Sequence, residues 1–216
     1  MSQQLDIWIT GIGVISPLGN DPVEIYDRLL HGQSAVAPLT RFDVTPYPCS
    51  VAATVTECKS HSKRAGPAMD AVEKPSVRYG MAAIRSALQS AVLQTGPNLK
   101  SEQMGLFVGT GFTKWETEAL RPSIQAASVD GIFDPSHFAR AAMTLTEPQR
   151  LLQGLSNRAL SFGAAELKAW GINQNYCNTG VGGLQALGEA SWVIAEERAD
   201  VVVADRAASP WQPARG

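Results

Sequence analysis

The chain is poor in the residues that build metal and redox sites. Its 216 residues include three cysteines and three histidines, and none of them has the close spacing of zinc or redox motifs. We therefore predict no metal and no cofactor, and we expect reduced thiols in a cytoplasmic protein. The residues concerned are Cys49, Cys58, Cys177, His31, His61 and His137.

Excess charge and long apolar runs are also missing. The net charge of −2 gives no electrostatic reason to expect a nucleic-acid partner. No apolar run reaches the roughly 18 residues that cross a membrane, and the N-terminus lacks the pattern of a secretion signal. What the chain does have is 44% hydrophobic residues, which is enough for a folded core.

Apolar strand patterns alternate with helical patterns along the chain. This order predicts an α/β fold with a mostly parallel five-stranded sheet and helices on both faces. Residues 1–208 are expected to form one domain, followed by an irregular tail at 209–216, and residues 112–145 are the least regular part. Strands are predicted over 5–10, 50–56, 104–108, 172–178 and 200–204.

Four helices follow from local signals. Asp21 as the N-cap with Pro22 at the first helical position predicts a helix that ends near Gly32. Residues 76–92 carry an apolar residue every three or four positions, as a buried helix face does. Two further helices are predicted over 147–170 and 181–197.

A glycine pair after the first strand invites a dinucleotide-binding interpretation. Gly11 and Gly13 fit the start of that motif, but its third glycine is replaced by Ser16, which Pro17 follows. No acidic residue ends the second strand to hold a ribose. We therefore interpret the glycines as positions of close backbone packing.

Gly180 is the most informative position. The strand at 172–178, a tight turn and the helix at 181–197 form a layout that presents a reactive side chain at a helix N-terminus. The helix dipole lowers the pKa of a thiol there, yet Gly180 has no side chain. Cys177, three residues earlier, is interpreted as a buried inert thiol, with a nucleophile as the alternative.

Five segments, in order along the chain, resemble the N-terminal half of β-ketoacyl-[acyl carrier protein] synthases, the condensing enzymes of fatty acid and type II polyketide synthesis. The resemblance implies half of a thiolase-like fold and places the family's cysteine nucleophile at Gly180. It also places a strand-ending glycine pair at Asp205 and Arg206, and it assigns two catalytic histidines to a second half that this sequence does not contain. We therefore expect no catalysis. The segments are 9–20, 38–43, 104–111, 185–190 and 199–204.

The chain also resembles the half-size chain-length-factor-like subunit of aryl polyene type II polyketide systems. The implied function is a non-catalytic subunit that forms a heterodimer with a full-length β-ketoacyl-ACP synthase. It would stabilise that synthase and help shape its acyl tunnel during polyketide, aryl polyene or fatty acid-type elongation. One alternative is a half-size condensing or decarboxylating enzyme that uses Cys177 or is completed by a second chain. Another is a degenerate fragment that acts only as a binding module.

The same resemblance nominates contact residues. A half fold leaves its inner helix uncovered, so we expect an obligate partner, with residues 172–178 at the two-fold edge and 109–138 at the tunnel wall. A basic stretch around residues 59–64 is interpreted as a solvated surface, with docking of acyl carrier protein as the alternative. The interface and tunnel candidates are Phe112, Trp115, Phe133, Asn175, Tyr176 and Cys177, and the carrier-protein candidates are Lys59, Lys63 and Arg64.

Overall fold

A computed structural model describes residues 6–55, 75–93, 99–111, 117–146, 154–178 and 180–207. Within these ranges the strands are β1 (Val36–Pro38), β2 (Val51–Ala53), β3 (Met104–Thr110), β4 (Ser128–Val129), β5 (Ile132–Phe133), β6 (Asn173–Cys177) and β7 (Val201–Ala207). The helices are α1 (Pro22–Leu30), α2 (Pro75–Ser90), α3 (Thr117–Ala126), α4 (Pro135–Leu145), α5 (Arg158–Leu167) and α6 (Gly182–Ala195).

A parallel sheet in the order β6-β3-β7 organises the core. All seven residues of β3 are buried, as expected for a central strand with helices on both faces and neighbours on both edges. Val108 lies opposite Asn175 of β6 and Asp205 of β7. This register brings the carboxyl ends of the three strands to one edge of the sheet.

Helices cover the two faces of this sheet. On one face, Met81 and Ile84 of α2 pack with Leu106 of β3. Arg85 of α2 forms a bidentate ion pair with Glu166 of α5. On the other face, α6 packs against Phe107 and Val202, through the residues Ala186, Ala190 and Val193. The predicted α/β class with helices on both faces is therefore confirmed. Among the described residues, no helix combines the length and the apolar character that crossing a membrane requires.

The predicted strands do not all join this sheet. Those at 104–108, 172–178 and 200–204 correspond to β3, β6 and β7. The prediction at 50–56 corresponds to the shorter β2, which pairs antiparallel with β1 in a separate two-stranded sheet. Residues 6–10 have no strand pairing. Branched apolar residues favour an extended backbone but do not select its neighbour, so the sheet has three strands in the described ranges rather than five.

Residues 112–145 were expected to be the least regular part of the chain. Their described part, from residue 117 on, nevertheless contains α3, a short hairpin of β4 and β5, and α4. Asp134 caps α4 by accepting hydrogen bonds from the backbone N–H groups of Ser136 and His137, and Pro135 follows at the first helical position. This is the same signal that predicted α1, and here it was overlooked.

Two predictions fall partly or wholly outside the described residues. The helix predicted over 147–170 corresponds in part to α5, which begins at Arg158, and residues 147–153 lie outside the described ranges. The tail predicted at 209–216 also lies outside them.

Candidate functional site

The site lies where β6 passes into α6. In parallel sheets, ligands and reactive groups collect at the carboxyl ends of the strands. Here these ends are Thr110 of β3, Cys177 of β6 and Ala207 of β7, which lie in one row across the sheet. The chain then continues through Gly180 and Val181 into α6.

Glycines allow α6 to lie directly on the ends of the strands. A Cβ atom on Gly109 would come within 2.3 Å of the carbonyl carbon of Gly182, so the β3 backbone touches the first turn of the helix. A Cβ on Gly182 would lie 3.0 Å from the carbonyl oxygen of Tyr176, and one on Gly183 would lie 2.8 Å from Cβ of Arg206. These glycines are required by close approach.

Gly180 differs from these three glycines. It is exposed, and a Cβ placed on it would meet no described atom within 4 Å. No described neighbour therefore requires a glycine at this position, in contrast to the other three.

The N-terminus of α6 is held by local polar contacts. The N–H of Gly182 donates to the carbonyl of Asn178 over 3.0 Å. The amide of the Asn178 side chain donates to Gln185 over 2.6 Å, while the N-cap residue Val181 offers no side-chain acceptor. The dipole of α6 produces a positive potential at this N-terminus. This potential would favour a thiolate at position 180, but Gly180 supplies no thiol.

Cys177 lies on the wrong face of the sheet to replace that thiol. Tyr176 packs with Phe107 on the α6 face, so Cys177 points to the opposite face. Its Sγ donates weakly to the carbonyl of Gly111 over 3.6 Å, and the thiol is half-buried. The interpretation of Cys177 as an inert thiol stays a prediction.

The other two candidate residues on β6, Asn175 and Tyr176, make different contacts with β3. Asn175 exchanges hydrogen bonds with the Thr110 hydroxyl, at 3.2 and 3.3 Å. Tyr176 packs edge-on against Phe107 with ring centroids 5.9 Å apart. Partial burial, and to a lesser degree the carboxylate of Glu189, raise the pKa of Tyr176. These contacts join both residues to β3. On its outer edge, β6 has no neighbouring strand among the described residues.

Asp205 and Arg206 end β7 on opposite faces of the sheet. The Oδ2 atom of Asp205 is buried and has no hydrogen-bond partner within the described part of the chain, although the residue as a whole is only half-buried. Burial raises the pKa of Asp205 to about 7, and the N–H of Arg206 partly offsets this by donating to the carboxyl group. The Arg206 side chain lies against Gly183 of α6.

The remaining predicted residues are not brought to this site. Phe133 is half-exposed in the β4–β5 hairpin, where its ring packs against Phe138 at 5.6 Å. Five further candidates lie outside the described residues, namely Phe112, Trp115, Lys59, Lys63 and Arg64. In the described ranges, no group of three His, Cys, Asp or Glu side chains is arranged to hold a metal ion.

Sequence reasoning did not select two features of this site. The Asn178–Gln185 hydrogen bond joins residues seven apart, which a periodic pattern does not reveal. Asp205 was noted as a replacement for a family glycine but not as a functional group. Its signal is an acidic residue directly after the apolar run 201–204.

Comparisons with known proteins place these observations in a family. The family model described as Beta-ketoacyl synthase, N-terminal domain, matches residues 4–143. The 3-oxoacyl-[acyl-carrier-protein] synthase 2 of Staphylococcus aureus (strain MRSA252) is 30% identical over 120 residues, which are 54% of this chain and 28% of that protein. The chloroplastic 3-oxoacyl-[acyl-carrier-protein] synthase I of Hordeum vulgare is 36% identical over 107 residues, 48% of this chain and 23% of that protein. The matched region thus spans about a quarter of these curated relatives.

Solved structures share the fold over most of the chain. The ishigamide ketosynthase/chain length factor matches with a TM-score of 0.70 and 22% identity, covering 92% of this chain and 46% of that one. A β-ketoacyl synthase from Burkholderia phymatum STM815 matches with a TM-score of 0.66 and 19% identity, covering 88% and 44%. A type II polyketide ketosynthase solved with its acyl-carrier protein matches with a TM-score of 0.57 and 20% identity, covering 94% and 51%.

Proposed function

Because this chain belongs to the β-ketoacyl synthase family, we propose that it is a non-catalytic, chain-length-factor-like subunit of a ketosynthase heterodimer. Its partner is a full-length β-ketoacyl-ACP synthase, which it stabilises and whose acyl tunnel it helps to shape. We place this complex in the cytoplasm and assign it to polyketide, aryl polyene or fatty acid-type chain elongation.

Gly180 carries the non-catalytic part of the proposal. Condensation by way of an acyl-enzyme requires a nucleophile that takes up the acyl group, and Gly180 has no side chain that could form the thioester. A Cβ at that position would meet no described atom within 4 Å. The absence of a nucleophile therefore does not follow from the packing of the turn, and it fits a subunit whose role is not chemical.

The surfaces of the chain support the heterodimer. The outer face of α6 exposes Leu184 by 74% and Trp192 by 69%, and apolar surface of this kind marks an interaction site. The open edge of β6 carries no charged residue and no proline, the features that normally protect an edge strand. One structural relative is itself a ketosynthase/chain length factor.

The tunnel and carrier-protein roles are the finer parts of the proposal. Segment 109–138 is assigned to the tunnel wall, and in its described part Phe133 presents a half-exposed ring. Residues 59–64 are proposed to dock acyl carrier protein, as a basic surface would dock an acidic one. One structural relative was solved with its own carrier protein.

Co-expression with the full-length synthase from the same genome tests the proposal. We expect a complex of defined stoichiometry by native mass spectrometry, and chain elongation that depends on the synthase's cysteine. A Gly180→Ala variant should form the same complex with the same activity, because its Cβ meets open space. A solitary, stable chain that elongates or decarboxylates malonyl-ACP by itself would overturn the proposal. Loss of that activity in Cys177→Ala would then identify the enzyme alternative.

A further inference from the structure

Arg206 is a charged residue at the point where β7 meets the first turn of α6. In the register of the sheet it lies opposite Gly109 of β3, and a Cβ on Gly109 would lie 2.3 Å from the carbonyl carbon of Gly182. The preceding residue, Asp205, faces α2, because its Oδ2 atom lies 2.9 Å from the position of a Cβ on Gly80. Since successive side chains of a strand point to opposite faces, Arg206 points to the α6 face.

The aliphatic part of the Arg206 side chain runs along the backbone of this turn. Its Cβ, Cγ and Cδ atoms lie 2.8, 3.3 and 3.1 Å from the position that a Cβ atom on Gly183 would take. A residue larger than glycine at position 183 would therefore displace the arginine. The guanidinium group is attached directly to Cδ, so its positive charge is held beside the first turn of α6, while Arg206 as a whole remains exposed.

This placement of a cation is electrostatically unfavourable. Basic side chains stabilise the C-terminus of a helix and are disfavoured at its N-terminus, because the helix dipole places a partial positive charge there. The first turn of α6 contains no acidic residue, so the helix itself provides no compensating charge at this end. The dipole of α6 therefore does not account for an arginine at this position.

A positive charge beside the turn determines which groups can approach residue 180. Gly180 directly precedes the N-cap residue Val181, and Gly183 follows in the first turn of the helix. A fatty acyl chain that lay against this turn would displace water from the guanidinium group, and removing water from a charge without pairing it is costly. A small polar group leaves that hydration in place. The arginine therefore discriminates against apolar chains according to their length.

We propose that Arg206 is a specificity-determining residue that keeps acyl chains away from the turn at Gly180. In the heterodimer, the acyl chain is then carried by the nucleophile of the partner subunit alone, and this subunit contributes surface without holding an acyl group at its own turn. This consequence for chain elongation rests on the proposed function. The exclusion itself is a property of this chain.

A cysteine introduced at position 180 allows the access of alkyl chains to be measured. A Cys177→Ala background leaves residue 180 as the only thiol of its peptide. In the Gly180→Cys chain, the thiolate attacks the sulfenyl sulfur of an alkyl methanethiosulfonate, forms a disulfide and releases methanesulfinate. Peptide mass spectrometry gives the rates with the methyl and the hexyl reagent. Their hexyl-to-methyl ratio reports on the access of the alkyl chain, because both reagents react with the same thiolate.

Three substitutions in this background separate the charge of Arg206 from its stem. Arg206→Met removes the charge but keeps an unbranched stem over Gly183, and it should raise the ratio about tenfold. Arg206→Lys keeps the charge and should leave the ratio nearly unchanged. Arg198→Met removes an exposed arginine just beyond the other end of α6 and is the matched control, with no expected change. If Arg206→Met does not fold, Arg206→Gln removes the same charge.

An unchanged ratio after removal of the Arg206 charge would overturn the inference, as would an equal rise in Arg206→Lys or Arg198→Met. A thiol at position 180 that the methyl reagent does not modify would also overturn it, because the turn would then be closed to every reagent. The ratio is measured on the chain alone. Failure to form a complex with the synthase would therefore contradict the proposed function without altering the result for Arg206.

Discussion

At the residue scale, Gly180 leaves the turn before α6 without a reactive side chain. The turn leads into the N-terminus of α6, and a Cβ at position 180 would meet no described atom within 4 Å, but the turn carries no thiol. A glycine that close packing requires cannot be substituted without strain, whereas no described atom opposes a side chain at Gly180. The pair Gly109 and Gly180 therefore contrasts a glycine that the fold needs with one that it does not.

Gly180→Cys should give a folded protein with an unusually reactive thiol. The Cβ meets open space, and the dipole of α6 lowers the pKa of a thiol at its N-terminus. Iodoacetamide labelling followed by peptide mass spectrometry should modify the introduced thiol faster than Cys177, whose Sγ is half-buried. The wild-type chain provides the background rate of its own thiols. Slower labelling at position 180 than at 177 would contradict an open, electropositive turn.

Gly109→Ala should destabilise the chain by about 3 kcal/mol, because the new Cβ would come within 2.3 Å of the Gly182 backbone and neither backbone has room to move. Urea unfolding followed by circular dichroism measures the loss. Gly180→Ala adds the same methyl group in open space and should change the free energy of unfolding by less than about 0.5 kcal/mol. Equal effects would show that β3 and α6 are not in direct contact.

Asp205 should make stability depend on pH in a defined direction. Its folded pKa is raised to about 7 from 3.8, so the folded state binds the proton more tightly than the unfolded state. Its contribution to stability is fully present below about pH 4 and is lost as the pH rises through about 7. The total change is on the order of 4 kcal/mol.

The comparison with Asp205→Asn isolates this effect. The difference between the unfolding free energies of wild type and variant should shift against wild type as the pH rises from about 4 to about 7. Asp43 and Asp134 act in the opposite direction, because hydrogen bonds lower their pKa values, but their effects cancel in the difference. Parallel pH profiles would mean that Asp205 is already paired.

At the element scale, α6 has two different faces. Its inner face carries small residues that let it lie on β3 and β7, and its outer face carries the large apolar residues Leu184, Leu187 and Trp192. A helix of a soluble monomer normally shows the reverse distribution. This distribution supports the proposal that the outer face of α6 is a contact surface.

Leu184→Glu should therefore leave the chain folded and weaken its complex with the synthase. The side chain is 74% exposed, so the charge costs little in the free chain, whereas burying it in an interface without a partner is unfavourable. Size-exclusion chromatography of the co-expressed pair should show less complex. Glu196→Gln changes one charge at the exposed end of the helix and is the control. Full retention of the complex would exclude the outer face of α6 from the interface.

Periodicity and capping signals in the sequence predicted some of the helices but not all of them. The stripe in 76–92 predicted α2, and Asp21 with Pro22 predicted α1. The same signal at Asp134 and Pro135 was overlooked, and α4 was therefore missed. The predicted strand at 5–10 failed for a different reason, because the pairing of a strand depends on residues far away in the sequence.

At the scale of the whole molecule, the buried core of the described ranges is confined to residues after 75. No residue in 6–55 is buried, although this stretch contains α1, β1 and β2 and eleven of the exposed large apolar side chains. Hydrophobic burial is the main source of folding free energy. Residues 6–55 therefore depend on contacts beyond those that the described structure provides.

Limited proteolysis should reflect this distribution. In the isolated chain, a nonspecific protease such as thermolysin should cut first within residues 6–55, because local opening is easy where few apolar contacts hold the backbone. Peptides from β3, α6 and β7 should survive longest. In the complex, cleavage within 6–55 should slow. Early cleavage within β3 or α6 of the isolated chain would contradict this order of stability.

The sequence by itself determined the local features and the family. Capping residues, the apolar stripe of α2, the buried run of β3 and the turn at Gly180 all follow from neighbouring residues. Segments matching a known family predicted the thiolase-like fold, which the family model and the structural relatives confirm.

Only the tertiary structure decided which segments meet. It placed Cys177 on the face opposite α6 and paired β2 with β1. It left Gly180 with no described atom near its Cβ position, and it buried the Oδ2 atom of Asp205 without a hydrogen-bond partner among the described residues. These outcomes depend on contacts between residues that are distant in the sequence. Local propensities constrain the backbone of each segment, whereas long-range packing selects its neighbours and thereby the environment of each side chain.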